Sequence, residues 1–337
     1  MVRLLFSLAL VSLASAGFAA DPWLSFPAGD GPGKGKHVVL VSGDEEYRSE
    51  EALPMLAQIL SKHHGFKATV LFAVDPKDGM VQPNVNNNIP GLEALAGADL
   101  LILFTRYRNL PDDQMKHFDD YFKSGKPILG LRTATHAFNL TSPTYNRYSV
   151  NSKDAEFVGG FGKKILGETW VAHHGSHGKE GTRGIVAAGA ESNPIFKGIE
   201  PGSIFGPTDV YAVKTALPEG STLLLNGEVT ETMKPDSKAV AGKKNEPMMP
   251  LAWLKPYRVT DGKKGMAFTT TMGNGQDFDY EGTRRLVVNA AYVLTGMSQA
   301  IPDKSNVEFV VPYKATPFRA KKNEDWKPGK PPADYAK

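Results

Sequence analysis

The chain contains no cysteine at any of its 337 positions. This absence excludes disulfide bonds, a cysteine-linked lipid anchor and any cysteine nucleophile. Stability must therefore come from the hydrophobic core, and a hydrophobic fraction of 41% is enough to build a large one.

The chain also has little net charge. Its 39 basic and 36 acidic residues leave a formal charge of +3, and the basic residues are scattered apart from a lysine-rich C-terminal stretch. Nucleic-acid binding normally requires a concentrated basic surface. We therefore expect no nucleic-acid partner.

Long hydrophobic runs are missing as well. The run Leu4–Leu13 is too short for a typical membrane-spanning helix. It follows Arg3 and precedes Ala14-Ser15-Ala16, which is the pattern of a cleaved secretory signal. The sequence thus predicts a signal peptide over residues 1–20, export to the periplasm or the extracellular space, and no membrane anchor.

Three nucleotide- and ester-handling motifs are absent. No GxGxxG follows the first strand, and neither GxxxxGK[ST] nor GxSxG occurs anywhere. Dinucleotide-binding, P-loop and serine-hydrolase functions therefore lose support, and no cofactor is expected.

Apolar runs alternate with helical patterns in the first half of the chain. Strands are predicted at 37–42, 67–74, 99–104 and 127–131, with helices at 50–63 and 111–123. This alternation predicts an α/β fold, a flavodoxin-like doubly wound and mostly parallel sheet with helices on both faces, in a single domain with insertions. We assign residues 21–36 to a linker, 37–300 to the domain and 301–337 to an extended tail.

Polar residues follow the strand at 127–131, where a parallel sheet binds its ligands. Because histidine titrates near working pH, His136 is the leading candidate for a general acid or base. Arg132 could stabilise an oxyanion, and Thr133 and Thr135 could contact a substrate. Two structural alternatives remain: His136 only packs a helix start, or Arg132 only forms an ion pair with Asp44 or Glu45.

Three further loops should meet the first at the same edge of the sheet. Glu45 or Glu46 could act as a second proton carrier, or could simply stabilise the following helix start. Carboxylates, guanidinium groups and aromatic rings suit a polyhydroxylated ligand. The candidate substrate contacts in these loops are Asp44, Tyr47, Arg48, Arg106, Tyr107 and Asn274.

An irregular insertion from 139 to about 182 carries His173, His174 and His177. Their spacing matches neither HExxH nor a zinc-finger pattern, so we predict substrate contacts and no metal site.

Several segments resemble the ThuA-like (trehalose utilisation) proteins of the class I glutamine-amidotransferase-like superfamily. The resemblance covers residues 37 to 297 and rests on the order and spacing of VSGDEEYRSEE (41–51), DLLILFTRYRNLP (99–111), GLRTATHAF (130–138), FVGGFGKKILG (157–167), SNPIFKGI (192–199), PTDVYAV (207–213), PLAW (250–253), MAFTTTMG (266–273) and RRLVVNAAYVLTG (284–296). By this resemblance Arg132 stands where the amidotransferases carry their cysteine, so glutamine hydrolysis is excluded.

The resemblance also implies a substrate class. ThuA-like proteins are associated with disaccharide catabolism beside sugar dehydrogenases that make 3-keto-glycosides. The expected function is acid–base cleavage of an oxidised (3-keto) glycoside, with His136 and Arg132 at its centre. The alternative is a non-catalytic sugar-binding or scaffold protein. The sequence leaves the oligomeric state open.

Overall fold

The computed structural model describes residues 21–213 and 216–337, which form a ten-stranded sheet and a separate two-stranded one. The predicted signal peptide lies outside the described residues. The helices are α1 (Ser49–His64), α2 (Asp112–Ser124) and α3 (Glu281–Leu294). The strands are β1 (Trp23–Phe26), β2 (His37–Gly43), β3 (Lys67–Phe72), β4 (Leu100–Thr105), β5 (Ile128–Leu131), β6 (Ala172–His173), β7 (Gly181–Val186), β8 (Phe205–Gly206), β9 (Tyr211–Ala212), β10 (Thr222–Thr230), β11 (Met249–Tyr257) and β12 (Gly265–Thr270).

The centre of the large sheet is parallel. Its strands run in the order β3-β2-β4-β5-β12, which is the flavodoxin-like order of a doubly wound sheet. The predicted fold class is confirmed. Every residue of β4 and β5 is buried, as expected for strands covered on both faces.

Helices cover both faces of this sheet and divide the core in two. On one face, Leu56 of α1 and Leu286 of α3 pack in the same cluster as Leu40 of β2. On the other face, Phe118 of α2 packs in a cluster with Val39, the residue before Leu40 in β2. Successive residues of a strand therefore serve opposite cores, as the two-residue period of a strand requires.

The chain between β5 and β12 carries the insertion. It adds β11, β10, β7 and β8 to the sheet as antiparallel strands beyond β12. It also forms the small β6–β9 pair. Residues 139–182 therefore form part of a longer insertion, which extends back over the carboxyl edge of the parallel strands.

The two ends of the described chain pack on the domain. The stretch 21–36 is not only a linker, because Trp23–Phe26 forms β1 and pairs with β3 at the sheet edge. At the other end, the amide of Arg319 donates to the carbonyl of Glu46 at 3.0 Å. The tail thus reaches the loop that follows β2. Within residues 21–213 and 216–337, no helix has the length and apolar character needed to cross a membrane.

Candidate active site

Three turns at the carboxyl edge of the parallel strands have strained backbones. Arg48, Tyr107 and Arg132 adopt positive φ values of 61°, 49° and 40°, each in the segment that follows a parallel strand. Such conformations cost about 1–3 kcal/mol for residues other than glycine, and they concentrate at functional sites. The turns lie where the sequence predicts the ligand site.

Asp209 is the residue around which the site is assembled, and the sequence analysis did not single it out. Its side chain is fully buried. The carboxylate lies 3.2 Å from the Arg132 guanidinium, 2.6 Å from Nδ1 of His173 and 3.0 Å from Nδ1 of His177. Burial alone would raise the pKa of Asp209, but the hydrogen bond from His173 and the charge of Arg132 lower it. Asp209 is therefore held as a carboxylate.

The β6–β9 pair explains how two histidines reach Asp209. His173 pairs with Tyr211 across this ladder, two residues beyond Asp209. The rings of His173 and His177 lie 4.6 Å apart, and about a third of each side chain is exposed. His174 points elsewhere, because its Nε2 contacts the carbonyl of Lys244 at 2.8 Å. His174 therefore lies outside the site, contrary to the expectation of a substrate contact.

Glu46 faces the same cluster from the loop after β2. Its Oε1 lies 3.3 Å from Nε2 of His177, and its Oε2 lies 3.2 Å from the Arg106 guanidinium. His177 thus bridges two carboxylates, Glu46 through Nε2 and Asp209 through Nδ1.

The carboxylate of Glu45 forms ion pairs with more arginines than that of Glu46 does. It pairs with Arg106 at 2.5 Å and with Arg108 at 3.2 Å. Burial and the neighbouring Asp44 raise the pKa of Glu45, although both arginines oppose the shift. Both oxygens of Glu45 are therefore held by arginines, whereas Glu46 keeps one oxygen on His177.

Arg132 holds Asp209 in place. Its guanidinium is sandwiched between the rings of Tyr47 and Tyr211, at 4.1 and 4.2 Å from their centroids. It also donates to the Thr271 carbonyl at 3.0 Å, and the side chain is fully buried. Arg132 therefore positions Asp209, and the ion pair anticipated with Asp44 or Glu45 forms with Asp209 instead.

His136 is buried beside this cluster, with 4% of its surface exposed. Its ring packs between Tyr107 and Trp170, with centroids 4.9 and 5.5 Å away. Burial, followed by the charges of Arg106 and Arg132, lowers the pKa of His136 well below its usual value. A neutral imidazole cannot act as an acid, and the burial of this one keeps it from reaching a bound substrate as a base, so His136 is no longer the leading candidate for proton transfer.

The remaining predicted contacts are buried and form hydrogen bonds within the loops or between them. Thr133 donates to Asp44 at 2.7 Å, and Thr135 donates to the Arg132 carbonyl at 3.2 Å. Arg48 donates to the Glu45 carbonyl at 3.0 Å and is fully buried. Asn274 is also fully buried. These side chains stabilise the edge of the sheet and do not line the cleft.

A cleft of about 710 Å³ opens beside Glu46 and His177. The C-terminal tail forms one of its walls through Phe318. That ring stacks on Tyr47 with centroids 5.7 Å apart, and meets His177 edge-on at 5.2 Å. A polar pair beside an aromatic wall suits a sugar, because polar groups bind hydroxyls while the ring covers a CH face.

The fold is that of a flavodoxin-like α/β protein, and it carries a carboxylate–imidazole cluster at the carboxyl edge of its parallel strands. The chain belongs to the ThuA (trehalose utilisation) family, whose model matches residues 37–292. This match confirms the resemblance found in the sequence. A comparison with curated proteins gives no match.

Solved structures of other ThuA-like proteins are similar to this chain. One from Bacteroides uniformis shares 15% identity, with 80% of this chain and 95% of the other covered and a TM-score of 0.46. One from Parabacteroides merdae shares 14% identity, with 77% and 90% covered and a TM-score of 0.44.

Proposed function

We propose that this ThuA-family protein is an exported enzyme that cleaves an oxidised (3-keto) glycoside by acid–base chemistry. The observation that carries the proposal is the 3.3 Å pair of Glu46 and His177, because it places a carboxylate and an imidazole together at a cleft. Export is supported by the signal-peptide pattern of residues 1–20.

The chemistry uses the acidity that a ketone confers on its neighbouring carbon. Glu46 takes the C2 proton, and the C2–H electron pair enters an enolate with the C3 oxygen. The enolate collapses to a C1=C2 double bond as the C1–O bond breaks, and protonated His177 donates a proton to the departing oxygen. Addition of water to the double bond completes hydrolysis.

The neighbouring charges suit these roles. Asp209 fixes the ring of His177 through Nδ1, which leaves Nε2 directed at Glu46. When water adds, its oxygen bonds to C1 while its proton passes to His177, and Glu46 returns a proton to C2, so both groups are regenerated. Arg106 is partly exposed beside Glu46 and can stabilise the enolate oxygen, a role that buried Arg132 cannot fill.

The test is product release from a 3-keto-disaccharide, followed by NMR in deuterated water. We expect monosaccharide release and deuterium incorporation at C2, with a rate at least about 100-fold lower in Glu46→Gln. Glu93→Gln, at an exposed position of the short 3-10 helix Leu92–Gly97, is the matched control and should match the wild type. Equal rates in the two variants, or no release by the wild-type protein, would reject the proposal.

A non-catalytic sugar-binding protein is the second candidate. The observation that favours it is Arg132, which occupies the amidotransferase elbow and is fully buried. Calorimetry that detects binding of the 3-keto-disaccharide, together with the absence of any turnover, would support this candidate.

A further inference from the structure

We propose that His173, His177 and Asp209 bind a divalent transition-metal ion. One candidate ligand atom from each of these residues lies within 4.8 Å of the other two. Two imidazoles and one carboxylate form a donor set that leaves positions open for water or substrate, as catalytic metal sites require. The sequence analysis expected no metal because the histidine spacing fits no known motif, but Asp209 lies 32 residues beyond His177 along the chain.

The distances within the cluster suit coordination. Nδ1 of His173 and Nδ1 of His177 lie 2.6 and 3.0 Å from the two oxygens of Asp209. Two ligand atoms at about 2.1 Å from a metal and at right angles to each other are about 3.0 Å apart. Without a metal, each contact needs a proton on Nδ1, and a cation that binds here would displace both protons.

The cluster has the outer support that metal sites require. Arg132 pairs with the carboxylate of Asp209 and is itself fixed between two tyrosine rings. His173 lies on β6, and the amides of His174 and Gly175 both donate to the carbonyl of Val210. Partners that orient the ligands in this way are a general feature of metal sites.

The solvent-exposed side of this cluster faces the proposed reaction site. Both imidazoles keep about a third of their surface exposed, whereas Asp209 is fully buried. A bound ion would therefore present its open positions toward Glu46 and the cleft. Its role there rests on the proposed function: the ion would bind the C3 oxygen and stabilise the enolate. With the ion bound, His177 would act as a ligand and no longer as the acid. A metal-bound water would supply the proton in its place, and Glu46 would remain the base.

Metal binding is tested on the mature chain without any substrate. The protein is dialysed against EDTA, exchanged into buffer, and titrated with ZnCl₂ and separately with MnCl₂ in a calorimeter. We expect one equivalent of at least one ion per chain, checked by elemental analysis. The double variant His173→Ala/His177→Ala should lose at least about 100-fold in affinity, and His174→Ala, in the same loop but outside the cluster, should bind as the wild type does.

Failure of this inference can be told apart from failure of the proposed function. Wild-type protein that binds neither ion, or a double variant that binds equally well, would overturn the metal site. Stoichiometric binding without turnover of any 3-keto-disaccharide would support the metal site and reject the proposed function. Turnover at an unchanged rate after EDTA treatment would overturn the catalytic role of the ion.

Discussion

The guanidinium of Arg132 and the carboxylate of Asp209 lie 3.2 Å apart, and neither side chain is exposed to solvent. This ion pair joins the turn after β5 to the insertion that carries the histidines. It fixes the carboxylate to which both His173 and His177 bind. Arg132 thus supports the histidine cluster from the turn that follows a central parallel strand.

Removing Arg132 should destabilise the fold strongly. Arg132→Met would leave Asp209 as a buried charge without its cation, and we expect a loss of about 3–5 kcal/mol in the free energy of unfolding. Urea denaturation measures this change. Lys116→Met, which removes an exposed ion pair with Asp120, should leave stability nearly unchanged. Similar small effects in both variants would show that the buried pair is unimportant.

Glu50 should make stability depend on pH. It is fully buried on α1, and burial raises its pKa from the ordinary 4.5 to about 7, although the charge of Arg48 opposes the shift. Between these two values the folded chain holds a proton that the unfolded chain has released. Stability should therefore fall by about 3 kcal/mol as pH rises from about 4.5 to 7, and then level off.

Glu50→Gln isolates this contribution. Glutamine cannot ionise, so the variant should gain stability relative to the wild type as pH rises toward 8. Urea midpoints measured from pH 5 to pH 8 provide the comparison. Parallel pH profiles for the two proteins would contradict the assignment of a raised pKa to Glu50.

His136 should contribute packing and not proton transfer. His136→Gln keeps a polar side chain between Tyr107 and Trp170 but removes the titrating ring. We expect kcat/KM on a 3-keto-disaccharide to stay within about tenfold of the wild type, with the pH–rate profile in the same place. A much larger loss with a displaced profile would restore His136 as the acid or base.

Phe318 should contribute to substrate binding from the tail. Phe318→Ala removes the ring beside His177, and we expect KM to rise about tenfold, equivalent to about 1.4 kcal/mol, with little change in kcat. Phe309→Ala is the control, because that tail ring packs on Arg284 and Tyr313, and Phe309 does not line the cleft. If KM is the same in both variants, Phe318 of the tail does not contribute to substrate binding.

The parallel half of the sheet was predictable from the sequence because each strand is a short, continuous apolar run. The run at 99–104, for example, corresponds to β4 at Leu100–Thr105. The predicted helix at 50–63 likewise corresponds to α1, which ends at Gly65 with φ of 79°, in the left-handed region that glycine favours. Residues that are close together in the sequence determine both the strand and the helix end.

The centre of the site depends on contacts between distant segments, which a local pattern does not reveal. Asp209 lies two residues before a two-residue strand, and the buried arginine that fixes it is 77 positions away. Phe318 reaches Tyr47 from the tail, across most of the domain sequence. Asp209 does lie within the family segment PTDVYAV, which is the one sequence signal that could have singled it out.

The most direct test compares two neighbouring histidines in the release of monosaccharide from a 3-keto-disaccharide. His177→Ala removes the imidazole that links Asp209 to Glu46, whereas His174→Ala removes one that contacts Lys244. We predict at least about a 100-fold loss of kcat/KM for His177→Ala and a change of less than about threefold for His174→Ala. Equal rates for the two variants, or a greater loss for His174→Ala, would contradict a site centred on Asp209.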